Sequence, residues 1–269
     1  MKIEENKSNE AVIATRNLWK VFYDQRRNTS VVAVQDISFS VKKGEFVCLV
    51  GPSGCGKTTL IRILAALEKP TYGEFDISGM SGGTHPAMVF QENALYPWFT
   101  VEENVAFPLR IQGIKKTERK SRIDPLLEMT GLTDFRNAYP YQLSGGMKQR
   151  TSVACALARD SDILLMDEPF GALDEQTRLL LQQELLGIWE KTRKTIVFIT
   201  HSVDEALTLG DRVIVMESHP GRIKKTIEVP LGRPRNVLEL RRDSVYGDLV
   251  YQVWRLLEKD PKSNDIMSI

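Results

Sequence analysis

Gly51-Pro52-Ser53-Gly54-Cys55-Gly56-Lys57-Thr58-Thr59 follows directly on the apolar run Phe46-Val47-Cys48-Leu49-Val50 and leads into Leu60, Ile63, Leu64 and Leu67 at helical spacing. The order is strand, glycine loop, helix start. It satisfies G-x-x-x-x-G-K-[ST], in which glycines let backbone N–H groups curl round phosphates at a helix N-terminus. Gly51, Ser53, Gly54, Cys55, Gly56, Lys57, Thr58 and Thr59 are therefore the candidate nucleotide-binding residues. Lys57 reaches the β- and γ-phosphates in this reading, and the Thr58 hydroxyl ligates Mg²⁺. A plain glycine turn joining strand to helix is the bland alternative.

Upstream, 11–18 and 31–41 alternate apolar and polar residues, most clearly at Ile37, Phe39 and Val41, which is the strand period. A charged loop is expected between them at 24–30. Downstream, 71–83 is glycine-rich with a short strand around Phe75 and Ile77, and 87–90 is a second short strand ending at Gln91. The stretch 100–141 reads as a helical insertion punctuated by Pro97, Pro108, Pro125 and Pro140. Continuous apolar runs return at 162–166 and 195–199, with a helix expected over 174–192 between them. Runs buried on both faces and joined by helices indicate an α/β fold with a parallel sheet.

The chain has 269 residues, 42% of them hydrophobic, enough for one domain carrying a subdomain. Its net charge of +1 comes from 36 basic and 35 acidic residues mixed along the sequence, which argues against nucleic acid as a partner. Three cysteines, Cys48, Cys55 and Cys155, read as reduced thiols of a cytosolic protein. Residues 1–10 are polar and acidic, with no apolar core of the kind a signal peptide needs, and no stretch nears the ~20 apolar residues of a membrane span.

Two further segments carry chemistry. Ile163-Leu164-Leu165-Met166 delivers Asp167 and Glu168 to the C-terminal end of a strand, where ligands of open α/β sheets sit. Asp167 would hold Mg²⁺, and Glu168 would polarise the water that attacks the γ-phosphate. Leu143-Ser144-Gly145-Gly146-Met147-Lys148-Gln149-Arg150 opens a helix with a serine and two glycines. That is either a second anion-binding N-terminus or an ordinary N-cap.

Taken together, the phosphate loop, Gln91, Leu143-Ser144-Gly145-Gly146, Asp167-Glu168, Ala172-Leu173-Asp174 and Thr200-His201 resemble, in this order, the ATP-binding cassette (ABC) ATPases. The resemblance implies a P-loop NTPase cassette with a parallel-sheet core, an N-terminal antiparallel β subdomain and a helical subdomain insertion. Residues 1–269 then form one ABC ATPase domain, with the nucleotide-binding core at 11–90 and 160–230. The helical subdomain takes 92–158, and a C-terminal helical extension takes 231–269. It implies ATP and Mg²⁺ as cofactors, with Thr58, Gln91 and Asp167 toward the metal, and Glu168, His201 and Gln91 as the catalytic set. Two cassettes, identical or not, would pair head to tail, so that Ser144, Gly145 and Gly146 meet the γ-phosphate held by the partner and Asp174 acts across the interface. His201 would contact the γ-phosphate on its own side. Phe22 falls where the family stacks an aromatic on adenine, with Tyr23 its near rival.

Pro97-Trp98, Gly146-Met147-Lys148-Gln149, Asp211-Arg212-Val213-Ile214-Val215-Met216 and Pro220-Gly221-Arg222-Ile223 resemble the nitrate, sulfonate and taurine importer ATPases, with relatives for bicarbonate. This implies integral membrane permease subunits as partners, a periplasmic or extracellular solute-binding protein met indirectly, and a peripheral place on the cytoplasmic face of the cell membrane. The rivals are an importer of another solute, a soluble cassette not linked to transport, and a P-loop kinase or GTPase, for which no guanine-reading Asn-Lys-x-Asp is present. The chain departs from the family in writing Ala154-Cys155-Ala156 for Ala-Arg-Ala, and Ala66 for a common glycine. Past Pro230, Val245, Leu249, Val253 and Leu256 form an apolar stripe, with Tyr246, Val250, Trp254 and Leu257 beside it, which predicts a closing amphipathic helix.

Overall fold

Every residue of strands β3 (Phe46–Val50), β6 (Ile163–Asp167) and β7 (Thr195–Thr200) is buried, as side chains of a sheet covered on both faces must be. The computed structural model describes residues 11–26, 28–77, 85–91, 94–171 and 173–258. The expectations for Met1 to Glu10, for the glycine-rich 78–83, for Ala172 and for the tail beyond Glu258 lie outside these residues.

The three buried strands belong to a six-stranded sheet of order β5-β6-β7-β3-β8-β9, with β5 at Ala87–Val89, β8 at Arg212–Glu217 and β9 at Arg222–Glu228. Pairing is parallel throughout except for β8 with the edge strand β9. The second sheet, of order β2-β1-β4, is antiparallel and consists of β1 (Ala11–Asp24), β2 (Thr29–Lys42) and β4 (Tyr72–Ile77). The loop expected over 24–30 is shorter in the structure. β1 runs on to pair Tyr23 with Ser30 and Asp24 with Thr29, and the Tyr23 hydroxyl bonds the Asn28 side chain across the hairpin end.

The strand period sorts β3 between two cores. Phe46, Cys48 and Val50 face one side, with Phe198, Phe170 and Trp189. Val47 and Leu49 face the other, with Ile61 and Ile63 of α1 (Lys57–Leu64) and Leu18, Val34 and Ile37 of the antiparallel sheet. The phosphate loop is thus clamped between the two sheets. A third cluster belongs to helices α2 (Val101–Ile111), α3 (Lys116–Met129) and α4 (Gly145–Ala158), built on Val105, Leu109, Leu127 and Ala154. Pro108 and Pro125 lie inside α2 and α3 rather than between elements. Packing of the apolar faces on this cluster outweighs the hydrogen bond each proline removes.

α1 stops at Leu64, short of the expected Leu67. Ala66 takes φ 57, while Leu67 N donates to Arg62 O at 2.9 Å. That is a left-handed helix end of the kind glycine usually fills, and it accounts for the position where the family writes glycine.

α5 (Glu175–Thr192) and α6 (Val203–Leu209) cover the first core, and after the short α7 (Val237–Leu240) the chain closes with α8 (Ser244–Leu257). The buried side of α8 is Tyr246, Leu249 and Val253. Val245 and Trp254, expected in or beside the stripe that packs, are 45% and 53% exposed. Tyr246 sets this rotation, because its hydroxyl reaches the Asp204 carboxylate at 2.9 Å. The segment entering α7 is fixed by Arg235, whose Nη1 donates to the carbonyls of Leu207, Thr208 and Gly210 at 3.2, 3.0 and 2.7 Å. Its Nη2 donates to Leu231 O at 3.1 Å. A buried guanidinium thereby caps the C-terminus of α6, where orphan carbonyls and the helix dipole favour a cation.

Candidate functional site

In the parallel sheet Val89 is level with Met166, Asp167 with Ile199, and Val50 with Thr200. The residues that leave these four neighbouring strands at their C-terminal edge, Gln91, Glu168, His201 and the phosphate loop, are therefore brought to one place. Between them and the antiparallel sheet lies a cleft of about 440 Å³, lined by 53–59, Gln91, Glu168, Val31 to Ala33 and His219.

Gly54 and Gly56 have φ of 79 and 88, in the left-handed region that glycine adopts without steric cost. Gly56 is the N-cap of α1 and offers no side chain, so the first-turn N–H groups of that helix point at the cleft uncapped. Close packing forbids a side chain there as well, since a Cβ on Gly56 would lie 2.5 Å from Ala33 O. The Lys57 side chain is buried and donates to the carbonyls of Gly51 at 2.8 Å and Pro52 at 3.2 Å.

The Thr58 hydroxyl donates to Asp167 Oδ1 at 3.1 Å, joining the helix start to the end of β6. Burial raises the Asp167 pKa above its ordinary value, against the lowering effect of the Thr58 hydrogen bond. A hydroxyl and a carboxylate with no soft ligand beside them are the hard oxygen donors that Mg²⁺ prefers. Among the described residues no cluster of three or more His, Cys, Asp or Glu could hold a metal by itself, so Thr58 and Asp167 would supply only part of the donors, with water and ligand oxygens as the rest. An ionised carboxylate left in that buried position opposes folding. Since its folded pKa lies above the unfolded one, this cost is absent at low pH and grows as pH rises through the folded value. Asp167→Asn is accordingly expected to raise the nucleotide-free melting temperature at neutral pH while losing at least about a hundredfold in Mg²⁺-dependent turnover. Thermal melts and phosphate-release assays on the same preparation check both halves.

Glu168 stands next to Asp167 at φ 45, a left-handed backbone for a residue that is not glycine. Its backbone is over-determined, with N donating to Ile199 O at 3.0 Å and O accepting from Gly171 N at 3.2 Å. Such strain is held where the surroundings fix it, and it aims the carboxylate between two neighbours. Gln91 Nε2 lies 3.4 Å and His201 Nδ1 3.3 Å from Glu168 Oε2. Behind His201, the Thr200 hydroxyl donates to Glu205 at 2.5 Å, and Arg178 Nε lies 3.6 Å from the same carboxylate.

Phe22 and the 144–146 segment are not among the residues lining the cleft. Phe22 is paired with Val31, whose side lines it, and carries Lys20 Nζ over its ring at 4.8 Å. Tyr23 is instead tied to Asn28 at the hairpin end. Ser144 is the N-cap of α4, its Oγ accepting from Met147 N at 3.3 Å, and both Ser144 and Gly145 are exposed. A Cβ on Gly146 would lie 2.8 Å from Thr177 Cγ2, so this glycine lets α4 approach α5. Asp174 caps α5 by accepting from Thr177 N at 3.0 Å, and those hydrogen bonds hold its carboxyl below the usual range.

Val31 to Ala33 and His219 were not legible as site residues. They reach the cleft through the register of β1 with β2 and through the turn between β8 and β9, and neither is written in a local motif.

The family model described as ABC transporter matches residues 34–171. The taurine import ATP-binding protein TauB of Roseobacter denitrificans is 44% identical over 239 residues, covering 85% of this chain and 89% of its own. The aliphatic sulfonates import ATP-binding protein SsuB of Bacillus thuringiensis subsp. konkukian is 43% identical over 217 residues, covering 80% and 85%. An uncharacterised ABC transporter ATP-binding protein of Methanocaldococcus jannaschii is 49% identical over 227 residues, covering 83% and 84%. Among solved structures, a bacterial ABC transporter cassette in dimeric form superposes with a TM-score of 0.72 at 33% identity, over 82% of this chain and 100% of that one. A post-hydrolysis dimer bound to ADP and Pi gives 0.71 at 32% identity, with the same shares covered.

Proposed function

The chain belongs to the ABC transporter family of ATP-binding, ATP-hydrolysing proteins, and on that premise we propose that it is the motor subunit of an importer for a small anion of the taurine or alkanesulfonate kind, with nitrate and bicarbonate as related cargoes. The observation that carries the chemistry is the convergence of Lys57, Thr58, Asp167, Glu168, Gln91 and His201 at the C-terminal edge of four adjacent strands. The names of the relatives support the cargo class.

In this reading the uncapped N-terminus of α1 and the Lys57 ammonium receive the phosphates. Thr58 and Asp167 would hold Mg²⁺, with Gln91 beside them, and the ion supplies neutralisation of charge on the β- and γ-phosphates. Glu168 orients and polarises the attacking water, and His201 steadies the γ-phosphate on the far side of that carboxylate. Phe22 stacks on adenine. The exposed Ser144-Gly145 end of α4 completes the site of a second cassette. Closure of two cassettes is then favoured only when ATP bridges both surfaces, so hydrolysis biases an open–closed equilibrium.

The core at 11–90 and 160–230, the helical subdomain at 92–158 and the extension at 231–269 are the divisions we assign to this cycle. A mostly apolar groove of about 450 Å³ separates core from helical subdomain, with Met88, Phe90, Leu95, Phe107, Ile111 and Cys155 on its walls. We assign it to the permease, which places the protein peripherally on the cytoplasmic face. No helix among the described residues is long and apolar enough to cross a membrane. The thiol at position 155 thus lies on the docking surface, where the family writes arginine.

The test is purification of the Glu168→Gln chain with ATP from detergent-solubilised cells. Recovery of a polytopic membrane protein, whose reconstituted complex hydrolyses ATP in response to taurine or an alkanesulfonate with its binding protein, supports the reading. Recovery of soluble partners alone overturns the transport assignment and leaves the ATPase standing.

A further inference from the structure

The turn between β8 and β9 touches the nucleotide cleft, and none of the motif residues accounts for that. Gly221 in this turn is packed so tightly that a Cβ on it would lie 2.2 Å from Cys55 O and 2.6 Å from Ala33 O. Gly221 O also accepts from Gln35 N at 2.8 Å, and Gly221 is bridged to Val34. The turn is therefore fastened at once to the phosphate loop and to β2. Two residues earlier, His219 holds φ 66, lines the cleft and is exposed. Among the described residues its imidazole has no hydrogen-bond partner. The left-handed backbone, which histidine adopts more readily than most residues, sets an exposed ring without a protein partner on the wall of the cleft, where it can donate to a ligand oxygen.

We infer that His219 is a further nucleotide-binding residue, donating a hydrogen bond to an oxygen of the ribose–α-phosphate segment. The position follows from the neighbours. Ala33 and Cys55 border the turn, Cys55 belongs to the phosphate loop, and Ala33 continues the strand whose Val31 pairs with Phe22. His219 therefore stands on the cleft wall beside a turn that packs on both the phosphate loop and the β2 residues that follow the partner of Phe22. The contact is to atoms that ADP and ATP share. This inference rests on the assignment of the cleft to ATP.

Equilibrium binding of ADP and of a non-hydrolysable ATP analogue decides it. Glycine adopts the backbone angle freely and asparagine tolerates it while keeping a donor. His219→Gly is expected to weaken both nucleotides to the same degree, about three- to tenfold, and His219→Asn to restore most of the loss. Unchanged binding by His219→Gly, or a loss confined to the ATP analogue, overturns the inference, since a γ-phosphate contact would discriminate the two. Should His219→Gly fold poorly, His219→Leu against His219→Gln, two side chains of similar size and similar backbone preference of which only the second carries a donor, decides in the same way. Lys57→Ala is the control. If that variant still binds nucleotide normally, the assignment of the cleft has failed, whereas its failure to bind beside normal binding by His219→Gly rejects the role of His219 alone.

Discussion

Glu168→Gln lowers ATP turnover by about two to four orders of magnitude, the size of effect that loss of a general base produces. The substitution keeps the shape of the side chain and puts another L residue at φ 45, so the strained backbone is no worse off. It removes the negative oxygen on which Gln91 Nε2 and His201 Nδ1 converge, at 3.4 and 3.3 Å. An amide there cannot accept a proton from water. Lys57 and Thr58 are untouched, so ATP binding persists and the ATP-bound species accumulates. Phosphate release and ATP-dependent dimerisation by light scattering provide the measurements. Turnover within tenfold of wild type would mean that another group activates the water.

Arg235→Leu costs roughly 3–5 kcal/mol of stability, because it leaves several buried carbonyls without a donor at about 1–3 kcal/mol each for those that water cannot reach. The guanidinium donates to five carbonyls, those of Leu207, Thr208, Gly210, Leu231 and Gly232. Three of these belong to the end of α6 or just beyond it, and in the variant they would face an apolar side chain. Burial pulls the Arg235 pKa down to about 10, so the group remains charged at neutral pH. Lysine does not replace it, since one ammonium cannot span this set of acceptors. A fall of about 10 °C or more in melting temperature is expected for a domain of this size. The neighbouring Arg233 is a useful contrast. Its side chain is 15% exposed against 1% for Arg235, and it bonds Leu209 O and Asp211, so Arg233→Leu should cost less.

Several parts of this molecule are written locally and were legible. The phosphate loop, the Asp167-Glu168 pair and the apolar runs of β3, β6 and β7 each announce themselves within ten residues, because strand burial and helix start leave direct marks on composition. The parallel sheet followed from the same marks, whereas the antiparallel N-terminal sheet was implied by the family resemblance. The remainder depends on pairing over long separations. Whether Phe22 or Tyr23 neighbours the cleft is a matter of β1–β2 register, and a one-residue slip would exchange them. His219 owes its place to Gly221 packing on Cys55, more than 160 residues away in sequence. Arg235 resembled any solvated arginine, since nothing in its neighbours tells of α6 carbonyls behind it. The rotation of α8 was set by the Tyr246 hydroxyl, which an apolar stripe does not encode.

The bonds from the Lys57 ammonium to the carbonyls of Gly51 and Pro52 have a kinetic consequence. A glycine loop carrying a buried cation with nothing to hold it would be expected to refold around each arriving ligand, and association would then wait on the rearrangement. Here the loop closes upon its own lysine, so its shape is held by the chain itself. If the cleft is the nucleotide site we propose, association is expected to exchange these lysine bonds for phosphate contacts without first reordering the loop.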